Sequence, residues 1–205
     1  EFYVRRFRRI YPAYLPAVLC YLIILAPALK EFGEDAFFST KIANLDLSAC
    51  TALTELPDSS NASGVFGWCS QLESVTLPKG LTRIGNYAFY YNTALESVAF
   101  PETLQSVGSY AFAGCCALTD IAFNKGLVDI GEFAFACENS PSARSTLEFP
   151  STLRTIGGDF VSEGAFAFCE NLAKVTFNEG LETIGDNAFE GCALLEKLEF
   201  PASLK

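Results

Sequence analysis

The stretch Phe100-Pro101-Glu102-Thr103-Leu104-Gln105-Ser106-Val107-Gly108-Ser109-Tyr110-Ala111-Phe112-Ala113-Gly114-Cys115-Cys116-Ala117-Leu118-Thr119-Asp120-Ile121-Ala122-Phe123 decides the fold, because its skeleton returns on both sides of it. An Ile/Val-Gly pair recurs at Ile84-Gly85, Val107-Gly108, Ile130-Gly131, Ile156-Gly157 and Ile184-Gly185. Ala-Phe follows at Ala88-Phe89, Ala111-Phe112, Ala134-Phe135 and Ala188-Phe189, and at Ala165-Phe166 after five extra residues. Each unit closes on Leu77, Phe100, Phe123, Phe149, Phe177 or Phe200, at spacings of 23, 23, 26, 28 and 23 residues. The two longer units carry insertions near residues 140–144 and 158–163. A fixed period of this length means coils that each lack a core of their own and must stack to bury an apolar face.

Each part of the unit has a physical reading. Apolar positions alternate near Phe123, which suits a short strand buried on one face. Pro78, Pro101, Asn124, Pro150, Asn178 and Pro201 come next, and both residue types favour leaving a ladder for a turn. The repeated glycines Gly85, Gly108, Gly131, Gly157 and Gly185 supply either a positive φ or a close backbone approach. Ala-Phe presents one small and one large apolar group, fitting a short helical turn, so Phe89, Phe112, Phe135, Phe166 and Phe189 are expected in the core. The expected fold is therefore an α/β repeat solenoid with short parallel strands, short helical turns and a 23-residue period. Before the mid-unit Leu stand Gly80, Thr103, Gly126, Thr152, Gly180 and Ser203, a two-coil rhythm consistent with a duplicated pair of repeats.

A 23-residue period lies in the leucine-rich-repeat range. The string Leu-x-x-Ile-Gly-x-x-Ala-Phe-x-x-Cys-x-x-Leu-x-x-Val-x-Phe-Pro resembles the BspA-type leucine-rich repeats of bacterial surface proteins, over about residues 29–205. Leu45-Asp46-Leu47-Ser48-Ala49-Cys50-Thr51-Ala52-Leu53 resembles a variant coil of such arrays, and Phe32-Gly33-Glu34-Asp35-Ala36-Phe37 matches the Gly-x-x-Ala-Phe core. The resemblance implies surface display, adhesion and binding of protein or matrix, with no catalytic residues. A spacer or stalk that presents a further domain is the alternative, and a membrane-acyltransferase fusion a more remote one.

Composition narrows the chemistry. Half of the 205 residues are hydrophobic and 19% are charged, enough to build a core. Residues 1–30 hold five basic groups against one acid, a net of +4, which leaves −14 on the other 175. An acidic body is the wrong surface for nucleic acid, whose phosphates need clustered Lys and Arg. There is no histidine, so triad chemistry, Cys-His catalysis and His-containing zinc sites are excluded. No nucleophile has a base beside it in sequence, and an enzyme, a cofactor or a metal is not expected.

Residues 1–28 form a basic and apolar leader, with Arg5, Arg6, Arg8 and Arg9 ahead of an apolar stretch from Ala13 to Leu29. It reads as a signal peptide with Ala26-Pro27-Ala28 at the cleavage site, as a short anchor, as a fusion remnant, or as a packed N-terminal helix. Phe2-Tyr3-Val4-Arg5-Arg6-Phe7-Arg8-Arg9-Ile10-Tyr11-Pro12-Ala13-Tyr14-Leu15 is similar to an early segment of integral-membrane acyltransferases that modify surface sugars, over about fifteen residues only. Any membrane contact is expected through residues 1–28 alone, with the repeats outside. The chain is expected at the cell surface or secreted. It ends on Phe200-Pro201-Ala202-Ser203-Leu204-Lys205, the opening of another coil, so the solenoid of residues 29–205 reads as truncated there, with Leu194, Leu195, Leu198 and Phe200 on an apolar edge.

Three sets of side chains stand out. Outward residues between buried strand positions form a candidate concave binding face for a protein or glycan: Ser74, Thr76, Ser97, Ala99, Asp120, Ala122, Thr146, Glu148, Lys174, Thr176, Lys197 and Glu199. Cys69, Asn92, Cys115, Cys169 and Cys192 share one repeat position, three residues past the repeat Phe. Exchange of Cys for Asn there points to a buried donor that serves backbone carbonyls, since both carry a suitable donor and a metal would not tolerate the swap. Cys116 and Cys137 lie off this register, and a disulfide between them is the alternative to two core thiols. Finally Tyr87, Tyr90, Tyr91 and Tyr110 cluster near the Ala-Phe turns as an alternative sticky patch, and Trp68 beside Cys69 is expected to pack.

Overall fold

The computed structural model describes residues 26–119, 121–137, 144–157 and 164–205. Stacked coils of short parallel strands run through all of them. The three-residue strands are β1 (Asn44–Asp46), β2 (Ser74–Thr76), β4 (Ser97–Ala99), β7 (Thr146–Glu148) and β9 (Lys174–Thr176). The two-residue strands are β3 (Arg83–Ile84), β5 (Ser106–Val107), β6 (Asp129–Ile130), β8 (Thr155–Ile156) and β10 (Thr183–Ile184). They form a three-stranded sheet β1-β2-β4, a two-stranded sheet β7-β9 and a five-stranded sheet β10-β8-β6-β5-β3. Every pair is parallel and in repeat register, Val75 on Val98 and Ile84 on Val107 for example. The second sheet comes from the residues just before each Ile/Val-Gly glycine, a strand the sequence reading took as a corner.

Among the described residues helices are nearly absent, which corrects the α/β label and the expected helical turns. Among the described residues the one helical piece is a 3₁₀ turn at Ala26–Ala28. The Ala-Phe pairs sit instead in turns that contain left-handed residues. Tyr87, Tyr110, Phe133 and Asn187 precede the Ala-Phe pairs with φ of 60°, 58°, 49° and 57°. Trp68, Tyr91 and Phe168, two past the repeat Phe, have φ of 58°, 55° and 59°. A right-handed helix cannot pass through such residues. The first left-handed residue gives its N–H to the next coil instead, Tyr87 to Ser109 and Tyr110 to Glu132.

The core is built of aromatic files. Phe37, Phe66, Phe89, Phe112, Phe135, Phe166 and Phe189 stack in sequence at 5.1–5.6 Å between ring centres. A second file, Phe100, Phe123, Phe149, Phe177 and Phe200, meets the first edge-on, as Phe100 meets Phe112 at 79°. Offset-stacked and edge-to-face contacts are both favourable arrangements of the ring quadrupole. The glycines of Ile/Val-Gly make room for coil stacking. A Cβ on Gly108 would lie 2.7 Å from the Asn86 nitrogen, and one on Gly131 2.6 Å from the Ser109 nitrogen.

The two-coil rhythm has a chemical meaning. In coils opening Pro-x-Thr or Pro-x-Ser, the hydroxyl donates to a leucine carbonyl one coil back: Thr103 to Leu81, Thr152 to Leu127 and Ser203 to Leu181, each at 2.8 Å. In coils opening Asn-x-Gly the amide takes over, Asn124 Nδ2 to the Leu104 carbonyl at 2.8 Å and Asn178 to the Phe149 carbonyl. At Leu104 the amide serves the kind of carbonyl that the hydroxyls serve, while Asn178 reaches a different one.

The basic leader up to residue 25 lies outside the described residues. Leu29 packs on the edge of the core. Among the described residues no helix is long and apolar enough to cross a membrane. At the other end Leu194 and Phe200 are more than half exposed, while Leu195 and Leu198 pack partly on the core.

Candidate functional site

Two surfaces merit chemical attention: the outer face of the three-residue strands and the edge made by the Ala-Phe turns. On the strands the central residues Val75, Val98, Leu147 and Val175 point inward and are buried, so their neighbours point out. Parallel register then ranks Ser74 beside Ser97 and Thr76 beside Ala99, with β1 adding Asn44 and Asp46 to the same rows. Ser74 donates from Oγ to Asn44 Oδ1 at 2.7 Å. Further along, Thr146 stands beside Lys174 and Glu148 beside Thr176. Between these two groups no strand forms among the described residues: Ala122 is exposed in irregular chain, and Asp120 lies outside the described residues. Lys197 and Glu199 also lie outside any strand and pair with each other at 2.5 Å. The twelve positions thus fall into a small neutral group, a mixed-charge group and a terminal ion pair.

The five-stranded sheet carries a third row, Arg83, Ser106, Asp129, Thr155 and Thr183. Arg83 pairs with Asp58 at 2.6 Å. Burial works against ionisation of Asp58, yet the Arg83 guanidinium and the Asn86 N–H hold its carboxyl below the ordinary value. These residues were legible as x-Ile/Val-Gly positions, but nothing in a two-residue strand distinguishes it from a turn by periodicity.

Inside the turns the shared Cys/Asn position forms a ladder. Each rung donates to the phenylalanine carbonyl one coil back: Cys69 to Phe37 at 3.2 Å, Asn92 to Phe66 at 3.0 Å, Cys115 to Phe89 at 3.1 Å, Cys169 to Phe135 at 3.5 Å and Cys192 to Phe166 at 3.4 Å. Burial pushes the Cys115 thiol up to about 12 and the Cys192 thiol to about 11. Cys116 and Cys137 are buried and not joined by a disulfide. Among the described residues no three metal-ligating side chains converge.

Arg144 is the residue sequence reasoning missed. It is fully buried, and its guanidinium donates to the Phe135 carbonyl at 3.0 Å and the Cys115 carbonyl at 2.9 Å, with the thiols of Cys169 and Cys137 at 3.4 and 3.6 Å. Counting back three from the strand centre Leu147 puts it where other coils place Leu72, Leu95, Leu118 and Leu172. That count was the available signal.

The turn edge is aromatic. Trp68 stacks on Tyr91 at 4.6 Å, Tyr87 on Tyr110 at 4.8 Å, and Tyr110 leans on Phe133 at 5.1 Å. Trp68 is 44% exposed and donates its indole N–H to the Ala62 carbonyl. A cavity of about 130 Å³ opens among Tyr90, Tyr91, Tyr110 and Phe133 over a floor of Ala113, Gly114 and Ala136.

A model of the BspA type leucine rich repeat region matches residues 59–163 and 145–205, in six copies. No curated protein is significantly similar in sequence. Among solved structures, a leucine-rich repeat protein from Bacteroides ovatus is 25% identical with a TM-score of 0.58, over 74% of this chain and 42% of that one. A leucine rich cell surface protein from Faecalibacterium prausnitzii is 24% identical with a TM-score of 0.62, over 80% of this chain and 43% of its own. The leucine rich repeat protein of T. pallidum is 24% identical with a TM-score of 0.58, over 82% of this chain and 91% of its own. The chain therefore spans less than half the length of the first two. Repeat motif, parallel coils and a family model running over most of the sequence agree, and the chain belongs to the BspA-type leucine-rich repeat family.

Proposed function

We propose that this solenoid is a non-catalytic interaction module at the cell surface, binding a protein, matrix or glycan partner through the outer face of its three-residue strands. The observation that carries this reading is the register of the strands, which ranks exposed side chains on β1, β2 and β4 and again on β7 and β9 over a packed core. Such a surface offers a partner several weak contacts at fixed spacing, which add through multivalency. The small neutral group on β1, β2 and β4 would admit close backbone approach, and the charged group on β7 and β9 would set orientation. Surface placement is supported by the family and by the F. prausnitzii protein, itself a cell surface protein. Residues 1–28 would serve export or anchoring.

The test is binding to an array of purified matrix proteins and glycans, with Thr76→Arg/Ala99→Arg as the comparison. Both substitutions are on exposed strand positions and should leave the circular dichroism spectrum unchanged. Saturable binding that the double variant loses supports the strand face. Binding that the double variant retains, or none across the array, overturns it.

A further inference from the structure

One coil departs from the repeat at two positions, and the two exceptions meet. Three residues before the strand centre other coils place Leu72, Leu95, Leu118 and Leu172; here stands Arg144, fully buried. Two residues past the repeat Phe other coils place Trp68, Tyr91, Gly114, Phe168 and Gly191; here stands Cys137. Arg144 Nη1 lies 3.6 Å from the Cys137 sulfur. Leucine fills this position elsewhere, and a guanidinium taken out of water costs far more than leucine unless an anion meets it.

The guanidinium also rearranges the ladder. Arg144 Nη1 takes the Phe135 carbonyl at 3.0 Å, the carbonyl that Cys169 serves as a rung. Cys169 is left at 3.5 Å from it, the longest rung of the five, and its thiol also hydrogen-bonds to Cys137. Cys116 hydrogen-bonds to Cys137 as well. Two thiols and a guanidinium thus converge on one sulfur, an environment that favours a thiolate. The titratable groups that face Cys137 from the packed coils are Arg144, Cys115, Cys116, Cys169 and Cys192: one cation and four thiols. Glu138, next in the chain, lies outside the described residues.

We infer that Cys137 is a thiolate paired with Arg144 and a peroxide-sensitive modification site whose oxidised form is a disulfide to Cys116. The Cys137 sulfur attacks one oxygen of hydrogen peroxide. The S–O bond forms, the O–O bond breaks, and hydroxide leaves to be neutralised by a solvent proton. The sulfur has lost two electrons to the peroxide and is a sulfenic acid. Cys116 then attacks that sulfur, the S–O bond breaks, and the departing hydroxyl leaves as water with the Cys116 proton. The order of the two steps is built in. While Cys137 is an anion, its hydrogen bond and the burial of the site hold the Cys116 thiol far above its ordinary value, and the neutral sulfenic acid removes that hold. Access differs from the ladder too. Cys116 and Cys137 keep 6% and 2% exposure against none for Cys115 and Cys169, and peroxide is little larger than water. The site shares no residue with the strand face, so either reading can fail alone.

The test uses the full chain with Cys20→Ser, which removes the thiol outside the described residues. At neutral pH the folded chain should show the ultraviolet absorbance of a thiolate, and Cys137→Ser should lose it. Dilute hydrogen peroxide followed by peptide mapping should recover a disulfide between Cys116 and Cys137. Arg144→Leu restores the residue of the neighbouring coils and should fold, yet it should slow that oxidation by about tenfold or more. The inference is overturned if the folded chain shows no thiolate, as it would were Glu138 the anion that meets Arg144, or if the absorbance survives Cys137→Ser. It is equally overturned if peroxide links other cysteines or none, or if a folded Arg144→Leu chain oxidises as fast as the parent.

Discussion

Phe112 lies between Phe89 at 5.1 Å and Phe135 at 5.3 Å, with Phe100 edge-on, and is fully buried. Replacing it by alanine removes ring contacts to both neighbouring coils at once, and neither coil can move inward without breaking its own ladder. Phe112→Ala should cost about 3–5 kcal/mol in a denaturant titration. Gly108 makes the opposite point. Its Cβ would fall on backbone atoms, the Asn86 nitrogen and the Gly85 carbonyl carbon, both at 2.7 Å, and backbone cannot turn aside as a flexible side chain can. Gly108→Val should therefore lower the melting temperature by at least as much as Phe112→Ala, although it adds apolar atoms. Arg144 shows where a residue-level reading stops. An arginine in a repeat insertion looks like a solvated loop residue, and burial follows only from its place three before Leu147.

At the scale of the element, the turn is the unit that the sequence pattern described least well. Ala-Phe, one small and one large apolar group, suits a helical turn, but a helix needs right-handed φ through every residue, and Tyr87 and Tyr91 are left-handed on either side of Ala88-Phe89. The carbonyls freed by this geometry are served by the Cys/Asn ladder, and that makes the ladder sensitive to pH. In the unfolded chain Cys115 ionises near 9.0, and in the folded chain at about 12 because burial penalises the thiolate. A raised folded value means that the stabilisation is complete below pH 9 and drains away as pH climbs toward 12. Denaturant midpoints measured from pH 8 to pH 11 should fall across that window. Cys115→Asn, which follows the Asn92 precedent and does not titrate, should flatten the fall; an unchanged slope would mean that other groups govern it.

For the whole molecule, the stacked files make stability nearly one-dimensional, since each coil touches its neighbours and little else. Phe112→Ala and Phe135→Ala remove rings in direct contact, so their costs should depart from additivity by roughly 0.5–3 kcal/mol. Phe66→Ala and Phe189→Ala are separated by four intervening rings and should add to within about 0.5 kcal/mol. Double-mutant cycles by chemical denaturation distinguish this from a globular core, in which distant pairs would couple through shared packing.

The repeat period, the stacked phenylalanines and a parallel strand at the end of most units were legible in the sequence alone, because each depends on a motif that recurs over six units and that only one stacking register satisfies. The pairing of the Asn and Thr coils was visible only as a rhythm; its cause, a hydroxyl or amide reaching the leucine carbonyl one coil back, required coordinates. Tertiary structure alone decided three further things. It formed a second sheet from strands of two residues, too short to carry a period. It left Ile121 and Ala122 outside any strand, although the repeat pattern continues through them. It also gathered Tyr90, Tyr91, Tyr110 and Phe133 around Gly114, since aromatic residues of different coils meet only when left-handed turns aim them at one edge.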